Sequence, residues 1–290
     1  MTCCSLRRGE AELLGARHGL AAYASNGVSM GLSLMHPWTD HLSGWSYTAA
    51  GTRVRLPVSP LLHTDSSGLP VNGVQSNGRA WTVERSGADE ANAWMEATLA
   101  FTSPRQLALF PFPHRLHLRA EVGPDGLRIV TTVEATTEQP VPIAFGYRVF
   151  VCRDASAGTA ALVLPARRAI ATDARLIPTG VSEKRAEETR LLRDGERIGE
   201  VFALGPKDRT IKVLTTERQL ALEALEGFPF AQVRGTPDES ELMLEAMTAE
   251  PDALSHEAFA LATPGRPYRA ELRITAEEAA AARVRGRRAA

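Results

Sequence analysis

Cysteine is scarce in this chain of 290 residues. Only three cysteines occur, and two of them, Cys3 and Cys4, are adjacent. Adjacent cysteines suit neither an ordinary disulfide nor a zinc site, so the sequence predicts no disulfide framework. We therefore expect a reducing, cytoplasmic setting.

Long apolar runs and a net charge of either sign are also missing. No apolar run approaches a membrane span, and the chain opens without a leader pattern. The 33 basic residues nearly cancel the 34 acidic ones, which argues against binding to nucleic acid or a membrane surface. Hydrophobic residues make up 44%, enough for the core of one large all-β domain or two ordinary ones.

Motifs for common cofactors and nucleophiles are absent as well. The chain contains no Gly-x-Gly-x-x-Gly after a strand and no Gly-x-Ser-x-Gly. His36 and His41 lie five residues apart on a predicted loop, and His114 and His117 lie three apart near a predicted strand; both spacings are weak for metal ligands. We expect no cofactor and no metal, and a structural role for His114 and His117.

What the sequence does contain is a series of short alternating segments with turns between them. Examples are 80–84, 94–99, 115–122 and 127–134, and Gly123-Pro124-Asp125-Gly126 reads as one of the turns. This spacing, without long amphipathic helices, favours a large antiparallel β-sandwich, an all-β fold. We expect one domain over 1–275.

Two segments are expected to lie outside that regular pattern. Residues 182–199 are dense in charge and predict a solvated excursion. Residues 276–290, rich in alanine and arginine, predict a C-terminal tail, helical and frayed from Ala279 onward.

The stretch that organises the function is 242–254. Leu242, Leu244 and Ala246 alternate with Met243, Glu245 and Met247, which indicates a buried strand. Glu245 places a carboxylate on one face of that strand. Burial of a carboxylate costs several kcal/mol unless it is paired, so the simple alternative is a side chain that points to solvent.

The same stretch resembles the Glu-Pro-Met-Thr-Ala-x-x-x-Ala-Leu signature of the aldose 1-epimerases, or galactose mutarotases. Glu245 falls on the catalytic carboxylate of that family, and Ala246 stands where the family has proline. The resemblance implies a β-supersandwich of the galactose mutarotase type, with Glu245 as the base.

Two further matches carry replaced histidines. Segment 140–150 resembles Pro-x-x-Phe-Gly-Tyr-His-Pro-Tyr-Phe, with Arg148 at the position of the family's general acid. Segment 68–74 resembles Leu-Pro-x-His-Gly-Leu, with Asn72 in place of the histidine. Asn72 can bond a hydroxyl but cannot titrate, and Arg148 stays protonated at all useful pH values. Without the resemblance, Asn72-Gly73 would predict a hairpin turn.

A fourth match, 27–44, resembles Gly-x-Pro-x-x-x-Pro-Trp-x-Asn-Arg-Leu-x-Gly. Asp40 and His41 stand where the family has Asn-Arg, and Trp38 is the tryptophan that could stack on a sugar face or plug the core. The chain thus carries His41 where the family has arginine and Arg148 where it has histidine. One hypothesis gives His41 the role of acid and Arg148 that of charge stabiliser; the alternative is drift in a site no longer selected for catalysis.

The resemblance implies an isomerase acting at an anomeric or hemiacetal carbon, with Glu245 and His41 as catalytic residues. Substrate-binding residues would be Arg148, Asn72, Asp40 and Trp38. Two other functions stay open: a non-catalytic carbohydrate-binding relative, and an enzyme repurposed for cyclisation or dehydration of a non-sugar. We expect a sugar-like small-molecule partner, acidic or phosphorylated to suit Arg148 and His41. We also expect a monomer or homodimer.

Overall fold

The computed structural model describes residues 2–26, 29–74, 81–152, 160–192, 197–235 and 241–278. Antiparallel strands dominate this part of the chain, as the alternating segments predict. Its strands are β1 (Thr2–Cys3), β2 (Arg7–Arg8), β3 (Ala11–Glu12), β4 (Leu32–Met35), β5 (Ser46–Ala49), β6 (Thr52–Arg55), β7 (Leu62–Thr64), β8 (Pro70–Val74), β9 (Trp81–Ala88), β10 (Ala93–Phe101), β11 (His114–Gly123), β12 (Gly126–Ala135), β13 (Val141–Ile143), β14 (Gly146–Cys152), β15 (Ala160–Leu164), β16 (Arg167–Thr172), β17 (Pro178–Arg185), β18 (Glu188–Leu192), β19 (Ile198–Leu204), β20 (Thr210–Leu214), β21 (Arg218–Glu226), β22 (Phe230–Gly235), β23 (Glu241–Met247), β24 (Ala260–Ala262) and β25 (Tyr268–Glu278).

Helical structure in the described residues is short. It comprises α1 (Gly19–Asn26), α2 (Pro104–Leu107) and a 3-10 helix (Ala253–His256). Ser103 caps α2: its hydroxyl accepts from the backbone N–H of Gln106. Within the described ranges, no helix is long and apolar enough to cross a membrane.

Two large antiparallel sheets form the sandwich. One has the order β1-β4-β14-β23-β22-β19-β16-β17, and the other has the order β18-β15-β20-β21-β25-β12-β11-β10-β9. A single apolar cluster, with members from both sheets, fills the space between them. Leu242, Leu244 and Ala246 of β23 belong to this cluster, so the even-numbered positions of that strand face the core. The odd-numbered positions, Glu245 among them, lie on the opposite face of the eight-stranded sheet.

Two details differ from expectation. Much of the charged segment 182–199 is strand, because β17 and β18 lie at the edges of the two sheets, although residues 182–185 are exposed as a solvated segment predicts. Asp194 of this segment lies outside the described residues. Strand β25 continues to Glu278, beyond the boundary placed at 275, and 279–290 also lie outside the described residues.

Segments 211–225 and 268–274, which flank Glu245 in sequence, form strands that do not lie beside it. Strands β20, β21 and β25 belong to the nine-stranded sheet. The neighbours of β23 are β14 and β22. Residues of β14, β22 and the loop between β4 and β5 therefore surround Glu245.

Candidate active site

Glu245 is fully buried, with 0% of its surface exposed. The alternative of a solvent-facing side chain is therefore wrong. The carboxylate pairs with Arg148, which lies directly opposite on β14: Arg148 Nε donates to Glu245 Oε1 at 2.6 Å. The other oxygen, Oε2, is buried and has no hydrogen-bond partner in the described part of the chain. Arg148 therefore holds Oε1, and Oε2 is left to accept a hydrogen bond from a ligand.

Burial and charge shift both partners of this pair. Burial raises the pKa of the Glu245 carboxyl above its usual value, and the negative charge of Asp40 adds to the rise, while Arg148 opposes it. Burial disfavours the charged form of Arg148, but Glu245 and Asp40 together raise the pKa of its guanidinium. Arg148 thus stays cationic, and Glu245 is a stronger base than an exposed carboxylate.

The row of cross-strand neighbours continues on both sides of the pair. Ser33 on β4 lies opposite Arg148, and Gln232 on β22 lies opposite Glu245. Gln232 is buried, and its Oε1 has no hydrogen-bond partner among the residues described. Our reading of the sequence missed Gln232; its signal was an amide inside the apolar run of β22.

A loop segment, residues 38–42, lies against this row through Asp40 and is named the strap. Isolated backbone β-bridges join Trp38 to Ala144 and His41 to Val71. The N–H of Leu42 also donates to the carbonyl of Pro70 at 3.0 Å. Within the strap Asp40 has a φ of 48°, a left-handed conformation that aspartate tolerates better than most residues. This turn directs the Asp40 side chain toward the cations of the sheet.

Asp40 connects the strap to the sheet. Its Oδ1 lies 2.8 Å from His41 Nδ1, 3.8 Å from Arg148 Nη2 and 3.9 Å from Arg234 Nη1. At 2.8 Å the contact between Asp40 and His41 is close, but it lacks the alignment of a hydrogen bond. Burial alone would raise the pKa of the Asp40 carboxyl, but the contact with His41 and the charges of Arg148 and Arg234 lower it to about 2. Asp40 is therefore an anion at any physiological pH.

His41 is buried between two carboxylates. Its Nδ1 faces Asp40, and its Nε2 lies 3.3 Å from Oδ2 of Asp65, in the turn between β7 and β8. Through Asp40, the structure brings His41 and Arg148 into one cluster with Glu245, as the exchanged-position hypothesis requires. Neither Asp65 nor Arg234 was anticipated from the sequence.

Asn72 joins the same cluster through its backbone. Its N–H donates to the carbonyl of Asp40 at 2.8 Å, and its own side-chain oxygen is buried without a partner among the described residues. Asn72 and Gly73 both have positive φ, 61° and 75°, as an Asn-Gly pair favours. They lie inside β8 and not at a hairpin turn, so that alternative is wrong.

Trp38 is placed differently from the other predicted ligands. Only 1% of its surface is exposed, and its ring packs against Tyr47 with centroids 6.3 Å apart. The ring belongs to the apolar core and presents no free face to a ligand, so the core-plug alternative describes it.

The histidines of β11 are also located. His114 is buried, stacks on Phe101 and shares a 2.9 Å contact between ring nitrogens with His36. His117 is exposed and pairs with Glu134. In the described ranges no group of three or more His, Cys, Asp or Glu side chains is arranged to hold a metal ion.

A β-supersandwich with a buried carboxylate on one sheet face is the architecture of a mutarotase-type protein. The family model described as aldose 1-epimerase matches residues 19–275. The chain belongs to the aldose 1-epimerase family, and this membership supports a sugar epimerase-type function. No curated protein sequence matches the chain.

Solved structures with the same fold cover almost the whole chain. A galactose mutarotase-like protein from Clostridium acetobutylicum is 14% identical with a TM-score of 0.79, and the match covers 95% of this chain and 89% of that one. Galactose 1-epimerase from Lactobacillus acidophilus is 13% identical, with a TM-score of 0.72 and coverages of 96% and 88%. A putative aldose 1-epimerase from Escherichia coli K12 is 12% identical, with a TM-score of 0.69 and coverages of 95% and 92%. At these identities the likeness shows the fold.

Proposed function

We propose that this protein interconverts the two anomers of a sugar, with Glu245 as the base and His41 as the acid. The observation that carries the proposal is the state of the Glu245 carboxylate. Arg148 holds Oε1 at 2.6 Å, while the buried Oε2 has no partner in the described part of the chain. A buried, oriented carboxylate oxygen is suited to accept the proton of an anomeric hydroxyl.

The reaction proceeds by ring opening. Glu245 Oε2 takes the proton of the hydroxyl on the anomeric carbon, the C–O bond to the ring oxygen breaks, and His41 gives a proton to that oxygen. Rotation about the adjacent C–C bond turns the aldehyde over. The same two groups then exchange their protons back as the ring closes on the other face, so that no proton is gained or lost.

The electrostatics support this division of roles. A base works best with a pKa near the working pH, and burial raises that of Glu245. Arg148 fixes the carboxylate and balances charge during ring opening without exchanging a proton, because its pKa is raised. Acid–base catalysis at one anomeric carbon requires one group that takes a proton and another that gives one.

The surroundings favour a neutral, polyhydroxylated substrate. Buried oxygens of Asp40, Asn72 and Gln232 have no partner among the described residues, and each is an acceptor for a hydroxyl donor. Arg148 and His41, which were expected to suit an acidic or phosphorylated sugar, already face carboxylates. Hydroxyl groups therefore fit this site better than a second anion.

The test is polarimetric mutarotation of α-glucose and α-galactose with wild type, Glu245→Gln and a matched control, Glu250→Gln. Glu250 lies on the same segment, and burial raises its pKa too. We expect a wild-type rate above buffer, an equal rate in Glu250→Gln, and a loss of about 10²–10⁴-fold in Glu245→Gln. A Glu245→Gln rate equal to wild type would contradict the proposal.

A second candidate, a non-catalytic carbohydrate-binding protein, is favoured by one specific observation. Arg148 opposes the rise in the pKa of the buried Glu245, and a carboxylate that keeps its charge accepts a hydrogen bond from a hydroxyl group without taking the proton. Titration calorimetry with the same two sugars separates the candidates. Binding that is weakened by Glu245→Gln, with a wild-type mutarotation rate equal to buffer, would favour the second candidate.

A further inference from the structure

Asp65 opens a tight five-residue turn, and only one of its carboxylate oxygens serves that turn. Oδ1 accepts from the backbone N–H groups of Ser67 at 2.9 Å and Leu69 at 2.8 Å. The backbone N–H of Asp65 donates to the carbonyl of Leu69. The second oxygen, Oδ2, makes no bond within the turn and lies 3.3 Å from His41 Nε2.

A second turn of the same construction shows what such a turn needs by itself. Asp173 Oδ1 accepts from the N–H groups of Arg175 and Ile177, at 2.8 and 3.0 Å, and the N–H of Asp173 donates to the carbonyl of Ile177. There Oδ2 pairs with the partly exposed guanidinium of Arg175. In both turns Oδ1 accepts the two backbone hydrogen bonds, which leaves Oδ2 for a contact with a side chain. At Asp65 that side chain is the buried imidazole of His41.

The charged groups around His41 leave the ring between two anions. Asp40 faces Nδ1 from the strap, and Asp65 faces Nε2 from the turn. Two cations, Arg148 and Arg234, lie 3.8 and 3.9 Å from Oδ1 of Asp40. Val71 on β8 carries no charge.

The remaining neighbour in this environment is Asp252. Its N–H bonds the carbonyl of His41, while its side chain is taken up by Ser43, Ser255 and His256. A positive charge on an imidazole that lies between two carboxylates is stabilised by both of them.

We propose that Asp65 is a positioning residue: its Oδ2 holds the His41 ring at Nε2, so that Nδ1, which has no aligned hydrogen-bond partner among the described residues, is left to give a proton to the ring oxygen of the substrate. This inference rests on the proposed function, because it assigns a purpose to the acid named there. The Asp65 side chain is 17% exposed and that of His41 is 7%. The outer carboxylate thus covers the imidazole on its Nε2 side.

The test is an NMR titration of the His41 imidazole in wild type, Asp65→Asn and the control Asp173→Asn. Asparagine keeps an Oδ1 that accepts both turn bonds and places an uncharged amide opposite Nε2. We expect the titration midpoint of His41 to move down by about one pH unit in Asp65→Asn, because an anion within about 4 Å is lost. Asp173→Asn should leave it unchanged. His41→Gln identifies the resonance among the seven histidines.

The outcomes separate this inference from the proposed function, because the titration needs no catalysis. An unmoved midpoint in folded Asp65→Asn would overturn the role of Asp65, even if wild type is an active epimerase. A moved midpoint supports it; where wild type is active, the acid limb of its pH–rate profile should move by the same amount. If Asp65→Asn does not fold, Asp65→Ser, whose hydroxyl can accept the turn bonds, serves for the same measurement.

Discussion

Arg148 and Glu245 lie directly opposite each other on β14 and β23, and the arginine Nε donates to the carboxylate at 2.6 Å. Both side chains are buried, on the sheet face that points away from the main core. A buried ion pair of this kind recovers its desolvation cost only when the geometry is good. Loss of one partner therefore leaves a charge that the site cannot solvate.

The first prediction concerns that pair. Arg148→Met should lower the free energy of unfolding by about 3–5 kcal/mol, because it strands the Glu245 carboxylate. Glu245→Gln should cost less, since Asp40 still lies 3.8 Å from Arg148. The double variant should be more stable than the sum of the single losses predicts, as measured by urea denaturation.

The exposed pair Arg85–Glu96, in which the arginine side chain is 70% exposed, is the control. A double-mutant cycle on this pair should give a coupling free energy of at most about 1 kcal/mol. Strictly additive losses at Arg148 and Glu245 would mean that the two side chains do not depend on each other.

The second prediction concerns pH and the buried pair His36–His114. Burial lowers the pKa of His114 to about 4, although its bond to Phe112 opposes this, and burial and the neighbouring ring lower that of His36. A lowered histidine pKa gives stability that is full above pH 6.5 and is lost as pH falls toward 4. For His114 this amounts to about 3 kcal/mol.

Thermal unfolding between pH 7 and 4 checks this linkage in wild type, His114→Phe and the control His117→Gln. His117 lies on the same strand but is exposed. The raised pKa of Glu245 acts in the opposite sense above about pH 4.5, so the difference between variants is the readout. The stability of His114→Phe should fall less steeply than wild type, and that of His117→Gln should follow wild type. Parallel curves for all three proteins would rule out the linkage.

The third prediction concerns Gly73, beside Asn72. Its φ is 75°, and an added Cβ would lie 2.2 Å from the carbonyl oxygen of His36. Gly51 has nearly the same φ, 74°, with nothing within 4 Å of the added atom. Gly51→Ala should cost about 1–2 kcal/mol for the left-handed backbone alone. Gly73→Ala should cost clearly more, because β8 must also move away from His36.

Chemical denaturation of both alanine variants gives the comparison, with mutarotation as a second readout. Displacement of β8 would disturb the bond from Asn72 to Asp40, so we expect Gly73→Ala to lose activity that Gly51→Ala keeps. Equal destabilisation by the two substitutions would show that the contact with His36 does not constrain the strand.

Much of the fold could be predicted because strands leave a period of two in the sequence. Leu242, Leu244 and Ala246 alternate and face the core, and the turn at 123–126 joins β11 to β12 as expected. The charged segment 182–199 was expected to be solvated, and residues 182–185 are exposed, but the local charge did not show that the segment supplies edge strands to both sheets.

The site was predictable only where a motif marked it. Glu245, Arg148, Asp40, His41 and Asn72 stand in recognisable segments, and the structure gathers them into one cluster. Other members depend on strand order and loop docking, which local sequence does not encode. Gln232 reaches the site because β22 pairs with β23, and Asp65 because its turn docks on the strap. Trp38 packs in the core, and a motif does not show which face of a loop is buried.

The measurement that tests the account most directly is the mutarotation rate of His41→Gln beside that of Arg148→Lys. If His41 is the proton donor, His41→Gln should fall to the buffer rate, because glutamine cannot give up a proton. Arg148→Lys keeps the positive charge but not the guanidinium contact, and should retain a reduced rate above buffer. A wild-type rate in His41→Gln would contradict the assignment of the acid and, with it, the exchange of roles between positions 41 and 148.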